Sequence, residues 1–166
     1  IGFLLVIIFM FVKYRIFGLI TNVTLIINLF ILLGILTLFE ATLTLPGLAA
    51  IAITIGMAID ANVLINERIR DEIRNGMPPQ KSISQGYDKA WGTILDSNIT
   101  TMIAGLALFM FGSGPIKGFA VVLVLGILTS VYSAIFVSRG IVNYIYGNKR
   151  TIKKISIGEI FKVENN

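Results

Sequence analysis

Hydrophobic residues occupy this chain in long blocks rather than alternating with polar ones. Positions of about 1–13, 18–40, 46–66, 92–112 and 117–140 are nearly continuous apolar stretches, and between them strongly polar composition is confined to Asn66–Ala90. A helix needs about 20 apolar residues to cross the roughly 30 Å hydrocarbon core of a bilayer, and a soluble core has no room for so many such stretches. The pattern predicts an all-α fold, a polytopic transmembrane helix bundle of five spans over residues 1–140. Its breaks carry helix-stop chemistry: "KYR" at 13–15, "EATLTLPG" at 40–47 with Pro46 at a helix start, and "FGSGPIKG" at 111–118.

The polar interval reads as a connector over about 67–90, in two parts. "NERIRDEIRNG" carries the third span out of the membrane as a charged helix, with Glu67 and Asp71, and Arg68 and Glu72, spaced i,i+4, until Gly76 and Pro78 end it. "PPQKSISQGYDKAW" then predicts a separate short amphipathic helix on the membrane interface, with Trp91 at headgroup level. Residues 141–166 read as a basic tail, mobile from about 150 onward.

Composition narrows the classes further. Of 166 residues 55% are hydrophobic and 14% charged, and the mean hydropathy is +0.86. Cysteine and histidine are both absent, which excludes a disulfide framework, a Cys/His metal site and any catalytic group built on imidazole; neither cofactor nor enzyme activity is expected. The net charge of +5 does not make a nucleic-acid surface, because the basic residues lie between apolar blocks and not on one face. It is a topology signal instead. Of the 14 Lys and Arg residues, 13 fall in alternate loops and the tail, and Lys117 alone falls in the others. The positive-inside rule then places the residue 1 end and the 40–47 and 111–118 turns outside, and the connector and C-terminal tail in the cytoplasm, for a multi-pass protein of the cell (inner) membrane. With no Met before Ile1 and a first block shorter than a span, the stretch reads as cut from a longer chain.

Ionisable side chains within the blocks are few. Asp60 lies in the third and Asp96 in the fourth, with Glu40 and Arg139 near block ends. Asp60 is about 20 Å along a helix from Gly47, past the midplane toward the cytoplasm. A carboxylate at such depth costs roughly 2.5–3.5 kcal/mol to insert, so it is expected to face a bundle interior or a wet cavity. Gly56 stands one turn before it, with Asn62 two residues after. On the next block Thr93, Asp96, Ser97 and Thr100 form one polar stripe, and Gly126, Thr129, Ser130 and Ser133 repeat the pattern on the last. Three small or polar faces are expected to converge, with Asp60 and Asp96 bordering the same interior as a proton relay and Gly56, Asn62, Thr93, Ser97, Thr100 and Thr129 supporting it. A purely structural role stands beside this: Asp60 as packing glue between helices, and Asp96 as a group reaching interfacial water. Glu40 reads as solvated and Arg139 as reaching the cytoplasmic surface. "GSGPIKG" has no preceding strand and no Lys-Ser/Thr ending, so it reads as a tight turn and not a phosphate loop.

"GMAIDANVLINERIRDEIRNG" (56–76), "TILDSNITT" (93–101) and "FGSGPIKGFAVVLVLGILTS" (111–130) together resemble the membrane part of the SecD branch of the SecD/SecF protein-export family, which belongs with the RND-type transporters. The likeness runs from about Ile1 to Arg139. It implies the last five helices of a subunit whose first helix and large external domain are not in this stretch. It also implies the partners SecF, the SecYEG channel and the SecA motor, and exported polypeptides handled by that external domain, all in the lipid bilayer. The activity implied is translocation coupled to the proton motive force, with Asp60 as the proton-pathway residue. An Arg of the SecF fourth-helix motif is replaced here by Thr93, so a complete proton path requires the SecF half. Two alternatives remain at this stage: a scaffold that holds SecF and the channel, and half of an RND-type small-molecule transporter.

Overall fold

A computed structural model of the chain describes residues 2–41, 44–147 and 157. Six α-helices make up the described fold: α1 (Gly2–Tyr14), α2 (Ile16–Leu38), α3 (Leu45–Arg74), α4 (Pro79–Phe111), α5 (Pro115–Tyr132) and α6 (Ser138–Tyr146). A π-helical turn at Ser133–Val137 joins the last two into a single rod. Four segments are long and apolar enough to cross a membrane: α2, α3, α4 and the α5–α6 rod; α1 is a shorter apolar helix. The all-helical membrane bundle expected from the apolar blocks is thus the fold observed.

Helix starts and stops follow local chemistry. Thr44 caps α3, its hydroxyl accepting the amide of Gly47 at 3.2 Å, and Pro46 sits in the first turn, where a missing N–H is harmless. Pro79 and Pro115 open α4 and α5 in the same way. Gly76, at φ 82, ends α3 in the left-handed region that glycine reaches without strain. Between α1 and α2 a single residue, Arg15 at φ 51, reverses the chain. The two helices then run back along each other, with the Asn22 amide donating to the Ile7 carbonyl at 3.1 Å.

The connector differs from expectation. Residues 79–90 are not a separate helix on the interface but the first turns of α4, which continues unbroken to Phe111. Nothing between Pro79 and Phe111 breaks a helix. Gly86 also lets this segment press directly on α3: a Cβ there would lie 2.8 Å from the backbone nitrogen of Ile69. The polar residues 67–90 therefore form an antiparallel helical hairpin standing on the bundle. Buried side chains gather in two clusters. One, at the hairpin end, includes Tyr14, Phe17, Ile65, Ile69, Tyr87 and Tyr146; the other, at the opposite end, includes Leu32, Leu36, Val122 and Ile127. The expected tail is corrected at its start: residues 141–146 continue α6, with Val142 and Tyr146 buried in the first cluster, because the apolar residues Ile141, Val142, Ile145 and Tyr146 still pack on the bundle. Ile157 is buried in the same cluster; the other residues from 148 onward, with Lys149, Arg150, Lys153, Lys154 and Lys162, lie outside the described residues.

Candidate functional site

At 3.6 residues per turn, two residues along a helix point to nearly opposite sides. On α3 this separates two rows of small residues. Ala50, Thr54, Ala58 and Ala61 are buried. Gly126 of α5 permits the contact, since a Cβ there would come within 2.8 Å of Thr54 Cβ. Gly56 and Asp60 stand two residues further along from Thr54 and Ala58, and both are exposed. On α4 the division repeats: Ile94, Asn98 and Gly105 are buried, whereas Thr93, Asp96, Ser97 and Thr100 are exposed.

The two carboxylates are nonetheless related. Asp60 precedes Ile69 by nine residues and Asp96 follows its partner Gly86 by ten. With a rise of 1.5 Å per residue on antiparallel helices, both lie about 14 Å from that contact, level on neighbouring helices. Neither side chain has a hydrogen bond or ion pair among the described residues. Their hydroxyl neighbours are committed to their own helix: Ser97 donates to the Ile94 carbonyl at 3.1 Å, Thr100 to the Asp96 carbonyl at 3.1 Å and Thr101 to the Ser97 carbonyl at 3.2 Å.

This corrects the expected convergence. The small face of α5 meets α3 on the side away from Asp60, so Asp60 and Asp96 are uncovered and do not border an interior of this chain. Thr129 is buried, donating to the Gly126 carbonyl at 3.0 Å, and Asn62 is buried, donating to the Ala58 carbonyl at 2.8 Å. Spacing sets the angle between residues on one helix. It does not say which of two small-residue rows the neighbour will choose.

A second polar set, in the interior, was missed. Thr21, Thr24 and Asn28 recur at i, i+3 and i+7 on α2 and are buried. Asn66 donates to Thr21 Oγ1 at 3.1 Å, and Ser133, the first residue of the π-helical turn, donates to Asn28 Oδ1 at 3.3 Å. Every member is uncharged. The helical spacing within an apolar block was the available signal.

The hairpin end holds a third, charged set. Glu67 accepts from Tyr14 Oη at 2.6 Å and pairs with Lys13 at 3.2 Å and Arg70 at 3.1 Å. Partial burial pushes the Glu67 carboxyl up, but the hydrogen bonds from Tyr14 and Lys13 and the charge of Arg70 outweigh it and hold it below its ordinary value. The nearly buried Glu72 pairs with Lys89 at 2.6 Å, tying α3 to α4. Tyr87 and Ser138 share a hydrogen bond of 2.6 Å, and burial pushes the Tyr87 hydroxyl up to about 12 despite that bond and the nearby Arg139. Arg139 reaches Asp88 at 3.5 Å and lies 5.8 Å from the centre of the Tyr87 ring.

Comparison with known proteins adds a family context. The family described as "Protein export membrane protein SecD/SecF, C-terminal" matches residues 1–148. The protein translocase subunit SecD of Calditerrivibrio nitroreducens is 54% identical over 157 residues, covering 95% of this chain and 30% of that one. SecD of Pseudomonas aeruginosa is 49% identical over 156 residues, 94% of this chain and 25% of its own length. The crystal structure of SecDF from Thermus thermophilus, described as a translocon-associated membrane protein, superimposes with a TM-score of 0.84 at 37% identity, covering 88% of this chain and 20% of that one. SecDF in its super-membrane-facing form gives a TM-score of 0.85 at 37% identity, over 92% and 21% of the two chains. The chain thus spans less than a third of the length of these relatives.

Proposed function

Because the chain belongs to the SecD/SecF family of protein-export membrane proteins, we propose that it is the membrane-embedded, proton-coupled part of a translocase subunit that helps move polypeptides through the Sec channel. The observation that carries this reading is the uncovered pair Asp60 and Asp96, level on two membrane helices and free of any partner among the described residues. Carboxylates so placed are too costly to leave against lipid, so a protein surface or water covers them. SecF is the protein assigned to that cover, and the Gly56–Asp60 face of α3 is the seam it meets.

In this mechanism Asp60 gains and loses a proton as the two halves rearrange. When ionised it requires water or a donor across the seam; when protonated it donates a hydrogen bond and tolerates a drier contact. A change of protonation therefore biases helix packing, and a proton gradient makes that bias directional. Asp96 is the second carboxylate of the path. Thr93, Ser97 and Thr100 lie along the same uncovered helix and hold water there, while Asn62 and Thr129 lie on the buried side, each bonded within its own helix. The charged hairpin and the tail lie in the cytoplasm, the 40–47 and 111–118 turns outside, and SecYEG and SecA act beside the assembled subunit in the cell membrane.

The test is Asp60→Asn in the complete subunit with its partner, reconstituted in vesicles that carry out export. The proton-gradient-dependent part of export is expected to disappear while assembly with SecF persists. If stimulation survives in Asp60→Asn, and Asp60→Leu instead releases the partner, the carboxylate is packing glue and the coupling mechanism is wrong.

A further inference from the structure

A cavity of about 580 Å³ opens at the end of the bundle opposite the charged hairpin, between the end of α2, the end of α4 and the start of α5. Its walls are apolar, formed chiefly by Leu106, Phe109, Val121, Val124 and Leu125, and two charged residues line it as well, Glu40 and Lys117. Volumes of this size are typical of small-molecule sites. Nothing in the proton-coupling mechanism uses it.

Both charges are unusual where they stand. Lys117 is the lone basic residue in the loops that the positive-inside bias otherwise keeps free of Lys and Arg. Its ammonium lies 6.0 Å from the centre of the Phe109 ring on the cavity wall. Glu40 terminates α2 in a conformation that favours glycine. Its φ is 48, its amide bonds to the Thr37 carbonyl at 3.1 Å, and the next amide, of Ala41, bonds back to the Leu36 carbonyl at 2.9 Å. That pairing is the Schellman ending, in which the left-handed residue is ordinarily Gly because a side chain there is strained. The position carries a carboxylate instead. Glu40 and Lys117 line the same cavity without forming an ion pair with each other, and neither side chain has a salt bridge among the described residues.

We propose that this cavity binds a membrane phospholipid with a zwitterionic, primary-amine head, its phosphate on Lys117, its ammonium on Glu40 and one acyl chain between α4 and α5. Two opposite charges that line an apolar cavity without pairing match a ligand that carries a cation and an anion a few bonds apart above a hydrocarbon tail. The position suits it, because the end of α2 at Leu38, the end of α4 at Phe111 and the start of α5 at Pro115 are ends of spanning-length segments, where headgroups meet the apolar core. The proposal rests on these helices being embedded in a bilayer and is independent of any role for Asp60.

The test uses the complete subunit with its partner, purified from membranes and offered phosphatidylethanolamine or phosphatidylglycerol bearing a photoreactive acyl chain. Labelling is expected within residues 106–125, with phosphatidylethanolamine favoured roughly fivefold, the effect of about one charge contact at a membrane surface. Lys117→Gln lowers labelling by both lipids, Glu40→Gln erases the preference between them, and Val124→Phe, which fills the cavity, lowers both. Asp60→Asn leaves all of this unchanged, so failure of proton coupling and failure of the lipid site are read separately. Equal labelling by the two lipids, indifference to Glu40→Gln, or a benzophenone side chain at 106 that captures a polypeptide in place of lipid would each overturn the proposal.

Discussion

Two polar sets run through the membrane helices, and they have been treated oppositely by the fold. The set on α2, Thr21, Thr24 and Asn28, faces inward and is uncharged; Thr21 meets Asn66 and Asn28 meets Ser133 across helix boundaries, while the buried Thr24 hydroxyl has no partner among the described residues. The set on α3 and α4, Asp60 and Asp96 with Thr93, Ser97 and Thr100, faces outward, and its carboxylates meet nothing among the described residues. A neutral amide or hydroxyl buried in a bundle can be satisfied by one good partner, which the same chain supplies for Thr21 and Asn28. An ionisable group that changes charge needs surroundings that change with it, and a tightly packed interior cannot supply those. Under the proposed function, the inward set holds the bundle together and the outward set acts between this chain and its surroundings.

The strongest way to break this comparison is to disturb the contact that sorts the two faces of α3. Gly126→Leu forces side-chain atoms into Thr54 and should cost about 3 kcal/mol in a bilayer unfolding measurement, the upper range for overpacking. A Cβ added at Gly56, on the uncovered face, meets nothing within 4 Å, so Gly56→Leu should leave the stability of the chain alone unchanged. Its lesion should appear only when the partner is present. Were the two variants equally damaging to the isolated chain, the two faces would not differ as described.

Next in size is Asp60→Leu. Insertion of the α3 segment alone should become easier by about 2.5 kcal/mol, because a charge is removed and no contact within the chain is lost. Asn28→Leu should do the reverse, lowering the stability of the bundle by about 1 kcal/mol by leaving Ser133 without its acceptor. Opposite signs at two polar positions of the same membrane region are what the comparison demands, read from segment insertion for Asp60→Leu and from bundle unfolding for Asn28→Leu.

These contrasts also locate what was legible in the residues alone. The helices, their turns and their apolar blocks could be read directly, because length and hydropathy decide them. The motif around Asp60 could be read too, and its family likeness with it. The orientation of Asp60 could not: α3 carries small residues on both sides, Ala58 and Ala61 on one and Gly56 on the other, and the choice depends on where Gly126 of a distant segment arrives. The continuity of α4 through residues 79–90 was obscured by polar composition, which suits an interfacial helix and a helical hairpin equally. The close approach of Gly86 to Ile69 and the Glu72–Lys89 pair separate them. The inward set on α2 is legible in its spacing, but uncharged residues at that spacing do not stand out from ordinary helix packing.

Glu67 asks whether charge or lack of partners distinguishes Asp60. It is a carboxylate like Asp60, on the same helix, but it is surrounded by Tyr14, Lys13 and Arg70. Its folded-state value lies below the ordinary 4.5, so its stabilising contribution is fully present above that value and is lost as pH falls through the lower folded one. Contacts between the end of α1 and α3 should therefore hold from neutral pH down to about the ordinary carboxylate range and loosen only in stronger acid. Hydrogen exchange in the last turn of α1 reports this, and Glu67→Gln should abolish the acid step while leaving Asp60-dependent coupling in place. An acid step that persisted in Glu67→Gln would assign it to another group. Its disappearance together with coupling would mean that the partnered and unpartnered carboxylates of α3 work as one unit, and the division between them would fail.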